Sequence, residues 1–257
     1  MRKIKLLISY DGSDFQGWQR QPGASTVQGT LEHVLTQIYN EPVRIKGSGR
    51  TDTGVHAVGQ VAHFEAPKIL QKEERLVRAL NSLLPETIVV KKAWLAPDDF
   101  HSLFSARRKT YIYRIWNHPV RSALWYKRAL WVPEAIDLEY LNRLARLVVG
   151  EKDFKSFQTS GTPVKTTVRK VDLCTWTAHS THMLEFRIRG SGFLKQMVRN
   201  LVGTLLYLER RKADITQLMD IFDAKDRQAA KAMVAAHGLY LYRVEYPAAL
   251  DKKCRKL

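Results

Sequence analysis

The chain has 257 residues, of which 45% are hydrophobic, and this suits one large domain or two small ones with a buried core. Its formal net charge of +17 comes from 42 Lys and Arg against 25 Asp and Glu. Such an excess indicates a polyanionic partner, which could be DNA, RNA or an anionic membrane surface. No window approaches the roughly 18 consecutive apolar residues that a membrane span needs, so the pattern predicts no transmembrane segment.

The N-terminal segment and the cysteines both favour a cytoplasmic protein. Met1–Tyr10 contains basic residues and a short apolar run but no small-residue cleavage site, so it is predicted to be a strand and not a signal peptide. Cys174 and Cys254 are far apart, without the spacing of a metal site, and are expected to be reduced thiols. The eight histidines are scattered along the chain, and we expect no metal ion.

In chain order, the first hundred residues predict a strand, a helix, two strands, a helix and a strand. The predicted elements are a strand at residues 3–9, a helix capped by Ser25 or Thr26 and running to Ile38, strands at Val43–Lys46 and Val58–Phe64, a helix at Leu76–Leu84 and a strand at Thr87–Trp94. This is the split βαβ order of a ferredoxin-like unit, whose sheet is mostly antiparallel. A polar loop, Asp11–Pro22, follows the first strand.

The remaining residues repeat this theme loosely, so two similar α/β halves are predicted, with a boundary near Ala106. The predicted elements are a strand at Lys109–Trp116, a helix capped by Asp137, a hairpin of Val168–Ala178 and His182–Arg189, a long helix at Phe193–Glu209, shorter helices at Ile215–Phe222 and Ala229–Ala236, and a closing strand at Leu239–Tyr246. The predicted domains are residues 1–106 and residues 107–257. Residues 1–107 have a net charge of +3 and residues 108–257 one of +14.

The most informative segment is the polar turn Gly49–Ala57, with the sequence GRTDTGVHA, between two predicted strands. A turn that only reverses the chain needs Gly, Asn or Asp, and does not need Arg50, Asp52 and His56 within seven residues. A carboxylate beside an arginine is held ionised by the positive charge, and an ionised Asp on a rigid loop can act as a nucleophile. The alternative is a purely structural turn with a solvated Arg50, because paired charges mark functional sites only in some cases.

Basic side chains form three clusters, at Arg107–Lys109, Arg210–Lys212 and the tail Lys252–Lys256. Together with six Trp and ten Tyr, they suit a groove that follows phosphates and stacks unpaired bases. This combination favours RNA over duplex DNA. The alternative, which applies most strongly to the tail, is that the clusters are solvated surface patches.

Five motifs in the same order resemble the tRNA pseudouridine synthase A family, over nearly the whole chain from about Lys5 to Tyr246. The motifs are Tyr10-Asp11-Gly12 with Gly17-Trp18-Gln19-Arg20-Gln21, then Gly49–Ala57, then Phe100-His101 and Phe104-Ser105-Ala106 with Lys109–Tyr113, then Asp153–Phe157, and finally Phe193–Asn200 with Gly203. Two departures are visible. Thr53 stands where the family usually has Ala or Ser, and Leu103 where it often has Arg, which puts one RNA contact in doubt.

The resemblance implies an isomerase that converts uridine to pseudouridine at positions 38, 39 and 40 in the anticodon stem-loop of tRNA. It implies no cofactor and no metal, and a cytoplasmic homodimer in which one tRNA contacts both subunits. The fold class would be α/β (α+β): the pseudouridine synthase fold of two ferredoxin-like or RRM-like halves. The first domain would carry the catalytic Asp loop, and the strongly basic second domain would complete an active-site cleft.

The resemblance also assigns roles to four catalytic candidates. Asp52 would be the nucleophile, Arg50 and Arg199 would pair with it, and Tyr111 would stack on the base and help to remove the C5 proton. Attack on ribose C1′, removal of a ribose proton to form a glycal and attack on uracil C6 all stay open. The uridine must be flipped out of the stem to reach the carboxylate, with Asp11–Pro22 as a candidate arm. Further substrate contacts are predicted at Phe15, Gln19, Arg20, His56, Arg107, Arg108, Lys109 and Lys195.

Three alternatives compete with this interpretation. The chain could be a catalytically silent RNA-binding protein on the same fold, but it retains Arg50, Asp52 and Tyr111. It could also be a synthase of this family with another RNA target. A metal-dependent nuclease needs clustered carboxylates, and Asp52 has no acidic neighbour within ten residues in the sequence.

Overall fold

The structure, a computed structural model, describes residues 2–67, 73–159, 161, 164–231 and 233–256. The chain divides into two compact units. The first contains residues 1–108 and 240–257, and the second contains residues 109–239. Within the described residues, no helix is long and apolar enough to cross a membrane.

The first unit begins with the predicted order of strands and helices. Its elements are β1 (Arg2–Tyr10), α1 (Val27–Tyr39), β2 (Ile45–Gly47), β3 (His56–Ala66), α2 (Glu73–Leu83) and β4 (Ile88–Ala96). β1 lies between β3 and β4 and pairs antiparallel with both, so that Ile4 faces Phe64 on one side and Leu95 on the other. The Thr26 hydroxyl accepts a hydrogen bond from the Gly29 N–H at 3.2 Å and caps α1, which confirms the second of the two predicted caps.

The second unit is also a mixed α/β structure. Its elements are β5 (Arg108–Asn117), β6 (Leu130–Val132), α3 (Leu138–Val148), β7 (Gly150–Asp153), β8 (Val168–Ala178), β9 (Met183–Gly190), α4 (Met197–Arg210) and α5 (Gln217–Ala224). The strands β5, β9, β8 and β7 are neighbours in this order and pair antiparallel. Asp137 caps α3 by accepting from the Tyr140 N–H at 2.9 Å, as its sequence predicts. The predicted fold class, α/β with mostly antiparallel sheets flanked by helices, is confirmed.

Two predicted helices of the second unit are wrong in part. The long helix begins at Met197 and not at Phe193, because Gln196 has a left-handed backbone conformation with φ of 59°. The predicted helix at Ala229–Ala236 forms no α-helix among its described residues, which exclude residue 232, and only Ala236 belongs to a helix, the short 3₁₀ helix Ala236–Gly238. There the Val234 carbonyl accepts from the Arg199 Nε at 2.9 Å. Because the Val234 carbonyl is bonded to a side chain that is distant in the sequence, the helical spacing of apolar residues does not produce an α-helix here.

The predicted boundary places the C-terminal segment in the second domain, residues 107–257. In the structure, residues 240–257 belong to the first unit instead. The C-terminal segment forms β10 (Leu239–Glu245), α6 (Ala248–Lys253) and β11 (Arg255–Lys256). β10 runs parallel to β3 and β11 antiparallel to β4. The segment is held in this unit by these pairings and by the Tyr246 hydroxyl, which donates to the Ser102 carbonyl at 2.7 Å. The net charge therefore divides as +7 in the first unit and +10 in the second.

Candidate active site

The turn predicted to carry the nucleophile connects β2 to β3 in the first unit. The Val55 N–H donates to the Asp52 carbonyl at 3.1 Å and closes a four-residue turn, in which Gly54 has φ of 75°. A positive φ at the third position is typical of a type II turn and favours glycine there. The side chain of Asp52 is half-buried, whereas that of Arg50 is exposed. The turn itself thus holds the backbone that carries the Asp52 carboxylate.

The loop Asp11–Pro22 is bonded to this turn. The Trp18 N–H donates to the Thr51 carbonyl at 3.0 Å, and the Gly54 N–H donates to the Phe15 carbonyl at 3.4 Å. The Phe15 side chain is 6% exposed and packs inside the first unit. This burial differs from the substrate contact that the sequence predicts for Phe15, and it makes the loop a support for the turn.

His56, which the sequence places among the RNA contacts, is buried at the start of β3 with 2% of its surface exposed. Its Nδ1 lies 3.0 Å from the Gly12 N–H and 3.1 Å from the Asp11 carboxylate. Its ring stacks on that of Tyr240, with 4.6 Å between the centroids. The predicted RNA contact of His56 is therefore corrected: the imidazole joins Asp11, Gly12 and β10, and does not face a ligand in solvent.

The other predicted contacts of the first unit lie closer to solvent. Arg20 is exposed, and its Nε lies 3.5 Å from a carboxylate oxygen of the buried Glu32. Arg107 is exposed and Arg108 half-buried, whereas Gln19 is half-buried beside Trp18 in sequence. These four side chains keep polar groups in contact with solvent. The same carboxylate is held more closely by Arg44, whose Nη1 donates to Glu32 at 2.9 Å, so Arg20 is the more distant of its two arginines.

Tyr111 and Tyr113 lie on β5 in the second unit and point to the same side, because side chains alternate along a strand. The Tyr113 hydroxyl donates to the Ala235 carbonyl at 2.8 Å, and burial raises the pKa of Tyr113 well above its usual range. Tyr111 is 8% exposed, and its ring packs edge-on against Phe193 at 5.1 Å. The hydroxyl of Tyr113 is thus engaged inside the unit.

Arg199 lies on α4, where it is 9% exposed, as expected for an arginine in an apolar helical run. Its Nε donates to the Val234 carbonyl at 2.9 Å, and its positive charge acts on the nearby Tyr113 phenol. The neighbouring Lys195 precedes α4 and is exposed. The Val234 bond fixes the guanidinium against the loop that follows α5.

The basic clusters differ in their surroundings. Burial lowers the pKa of Lys109 to about 8, so its ammonium is mostly charged at neutral pH and loses its charge as the pH rises toward 9. In the second cluster, Arg210 forms an ion pair with Glu134 at 2.8 Å, and Lys212 forms ion pairs with Asp137 and Glu209. Two members of the Arg210–Lys212 cluster are therefore paired with carboxylates within their own unit.

No group of three or more His, Cys, Asp or Glu side chains that could hold a metal ion exists among the described residues. The sequence missed two buried polar side chains below the turn, those of Tyr10 and Gln60, which are 4% and 0% exposed. A signal for Gln60 was present: a glutamine within the apolar strand Val58–Phe64 must find partners if that strand is buried.

The model of the tRNA pseudouridine synthase family matches residues 6–105 and 144–247. The matched residues include Arg50, Asp52 and Arg199, whereas Tyr111 lies in the interval between the two segments. Because the match covers well over half of the sequence, the chain belongs to this family.

Curated relatives resemble the chain over almost its full length. The tRNA pseudouridine synthase A of Bdellovibrio bacteriovorus is 45% identical over 99% of both chains. That of Maridesulfovibrio salexigens is 43% identical over 96% of this chain and 91% of its own. That of Geobacillus kaustophilus is 42% identical over 95% of both.

Proposed function

We propose that the protein isomerises uridine to pseudouridine in tRNA. The observation that carries this proposal is the turn of Asp52, which presents a carboxylate beside an exposed Arg50 and lies within the segment that the family model matches. The curated relatives named above are tRNA pseudouridine synthases of similar length. The net charge of +17 suits a substrate that carries one phosphate per nucleotide.

The reaction moves the glycosidic bond from one atom of the uracil ring to another, without net gain or loss of atoms. The bond between uracil N1 and ribose C1′ breaks, the uracil turns, and a new bond joins C5 to C1′, after which C5 loses its proton and N1 gains one. The chemistry therefore needs a nucleophile, a surface that retains the detached base and a group that accepts the C5 proton.

We assign the carboxylate to Asp52, with Arg50 and Arg199 as the arginines that keep it ionised. Tyr111 would stack on the uracil and assist removal of the C5 proton. The choice of Tyr111 over Tyr113 follows the resemblance of the motif Lys109–Tyr113. Nucleophilic attack on C1′, formation of a glycal and attack on C6 all begin at the same carboxylate, so the assignment of Asp52 does not depend on the route.

For the substrate, we propose the anticodon stem-loop of tRNA, with the uridines at positions 38, 39 and 40 as targets. This part of the proposal follows the resemblance of the motifs. Exposed or half-buried polar side chains would contact the RNA backbone, and they are Gln19, Arg20, Arg107, Arg108, Lys109 and Lys195. The aromatic rings of the chain would stack on the flipped base or its neighbours.

We also propose that the protein acts in the cytoplasm as a homodimer that shares one tRNA between its subunits. Large apolar side chains on the surface of the second unit suit self-association, since an exposed Leu124 or Tyr126 costs free energy when it is left in water. Light scattering on the free protein and on its tRNA complex measures the number of subunits in each.

The experiment that tests the activity is release of tritium from tRNA that carries 5-tritiated uridine, in the presence of EDTA. Tritium leaves C5 only when the new bond forms there, so the wild-type protein should release it without metal. Asp52→Asn keeps the size of the side chain but removes the charge, and it should bind tRNA and release no tritium. Asp98→Asn makes the same change at an exposed site in the same unit and should retain activity.

The two contrary outcomes have different meanings. If Asp52→Asn turned over as fast as the wild type, the assignment of the carboxylate would be wrong. If the wild type bound tRNA tightly and released no tritium, the protein would be a silent RNA-binding protein or a synthase for another RNA. Mapping of pseudouridine in total RNA treated with the protein distinguishes these two.

A further inference from the structure

Four polar side chains lie below the turn of Asp52, in the interior of the first unit. Tyr10 is the last residue of β1, Ser48 directly follows β2, Thr51 lies in the turn, and Gln60 lies in the middle of β3. Their exposed fractions are 4% for Tyr10, 0% for Ser48, 6% for Thr51 and 0% for Gln60. Buried polar groups need partners, and these four bind one another and the backbone of the turn.

The Gln60 amide is the centre of this network. Its Oε1 accepts from the Ser48 hydroxyl at 2.6 Å, and its Nε2 donates to the Gly49 carbonyl at 3.0 Å. Its side chain also lies near the hydroxyl of Tyr10 and acts to lower the pKa of that hydroxyl. One amide thus ties the backbone just before Arg50 to β3.

Tyr10 completes the connection on the other side of Arg50. Its hydroxyl lies 2.7 Å from the Thr51 Oγ1, and Thr51 directly precedes Asp52. Burial raises the pKa of Tyr10 to about 12, so the hydroxyl keeps its proton and the bond persists throughout the working pH range. Thr51 is therefore tied by its side chain to β1 and by its carbonyl to the Trp18 N–H.

Close packing leaves the turn no room to move sideways. A Cβ on Gly12 would lie 2.1 Å from the Val55 carbonyl oxygen, and one on Gly17 would lie 2.7 Å from that of Thr51. Both contacts are tighter than any side chain allows, so the loop backbone rests directly on the turn. Arg50 and Asp52 flank the anchored Thr51 in the sequence; Arg50 is exposed and Asp52 is half-buried.

We propose that Tyr10 and Gln60 are positioning residues of the enzyme, which hold the Asp52 carboxylate at its reacting position through Thr51, Ser48 and Gly49. The inference rests on the proposed function, in which Asp52 meets the substrate. Neither residue needs to touch the RNA. A misplacement of about 1 Å can cost about 100-fold in rate, so a network that fixes the turn acts on the chemical step more than on binding.

The test uses substitutions that remove a hydroxyl and little else. Tyr10→Phe and Thr51→Val each delete one end of the same hydrogen bond, and Thr51→Ser restores a hydroxyl at that position. Tyr246→Phe is the matched control, because it deletes a buried tyrosine bond of equal length, 2.7 Å, in the same unit and away from the turn.

We expect Tyr10→Phe and Thr51→Val to lower kcat at least about 10-fold, with KM for tRNA unchanged within about 2-fold. The double variant should be no slower than the slower single variant, since both remove one bond. Thr51→Ser should recover most of kcat. Tyr246→Phe should lose a similar amount of thermal stability and keep wild-type kcat. Equal kcat values for Tyr10→Phe and Tyr246→Phe would overturn the proposal.

A second measurement needs no substrate and is independent of the proposed activity. Amide hydrogen exchange of Gly54 and Val55, whose N–H groups bond within the turn and to Phe15, should be faster in Tyr10→Phe than in Tyr246→Phe. Unchanged exchange in Tyr10→Phe would refute the positioning role even if the enzyme had another RNA substrate. Faster exchange with no release of tritium by the wild type would instead contradict only the assigned activity.

Discussion

His63 makes the stability of the first unit depend on pH in a specific window. It lies on β3, 3% exposed, and its Nδ1 accepts a hydrogen bond from the Ser102 N–H at 3.1 Å. Burial, followed by the positive charges of His101, Lys3 and Lys46, lowers the pKa of His63 to about 4 from an ordinary value of 6.5. The imidazole is therefore neutral in the folded protein at pH 5, whereas the unfolded chain takes up a proton there.

The sign and the size of the effect follow from these two pKa values. Between pH 6.5 and pH 4 the unfolded state binds more protons than the folded state, so the free energy of unfolding falls as the pH falls. The stability is fully present above pH 6.5. At pH 5 the loss from His63 amounts to about 2 kcal/mol, from the value of 1.36 kcal/mol for each pKa unit. Burial also lowers the pKa of His101, which adds a loss of the same sign.

Urea unfolding of the wild type and of His63→Gln, at pH 7 and at pH 5, measures this loss. A glutamine can still accept from the Ser102 N–H but does not titrate, so the variant should lose about 2 kcal/mol less than the wild type between the two pH values. His33→Gln removes an exposed imidazole from α1 and should follow the wild type. Equal losses in the wild type and in His63→Gln would refute the reasoning, as would a pKa near 6.5 for His63 by NMR.

Two further predictions concern RNA binding and the contact between the loop and the turn. Because burial lowers the pKa of Lys109 to about 8, its positive charge is lost as the pH rises from 7 to 9, and tRNA affinity should fall more in the wild type than in Lys109→Met. Filter binding at constant salt measures both slopes, and identical slopes would remove Lys109 from the RNA interface. Gly12→Ala should abolish most activity or unfold the unit, because its Cβ would lie 2.1 Å from the Val55 carbonyl oxygen. Gly192→Ala, where the nearest atom is at 3.8 Å, should be tolerated, and wild-type melting and turnover of Gly12→Ala would contradict the contact.

Local patterns in the sequence determined most of the secondary structure. The helical spacing of apolar residues and the capping side chains of Thr26 and Asp137 located α1 and α3, because both signals act within one turn of helix. The order of strands and helices indicated the fold of the first unit. Glycine, arginine and aspartate together in one turn marked the candidate nucleophile, since a turn without chemistry does not need that charge.

Tertiary structure decided which groups are buried and what they bind. The sequence around Phe15 and His56 does not show that their rings are buried. The Val234 carbonyl, predicted to lie in a helix, instead accepts a hydrogen bond from Arg199, 35 residues away. The return of β10 to the first unit is likewise a pairing between strands that are distant in the sequence.

The side chains that hold the turn of Asp52 also come from parts of the chain that are distant in the sequence. Tyr10 and Gln60 contact the turn from β1 and β3, 41 residues away in one case and 11 in the other. A sequence pattern reports how a residue alternates with its neighbours, and the hydrogen bonds of a buried side chain depend on which distant backbone groups the fold brings within about 3 Å. The sequence by itself therefore indicated the candidate carboxylate, and only the tertiary structure decided what holds it in place.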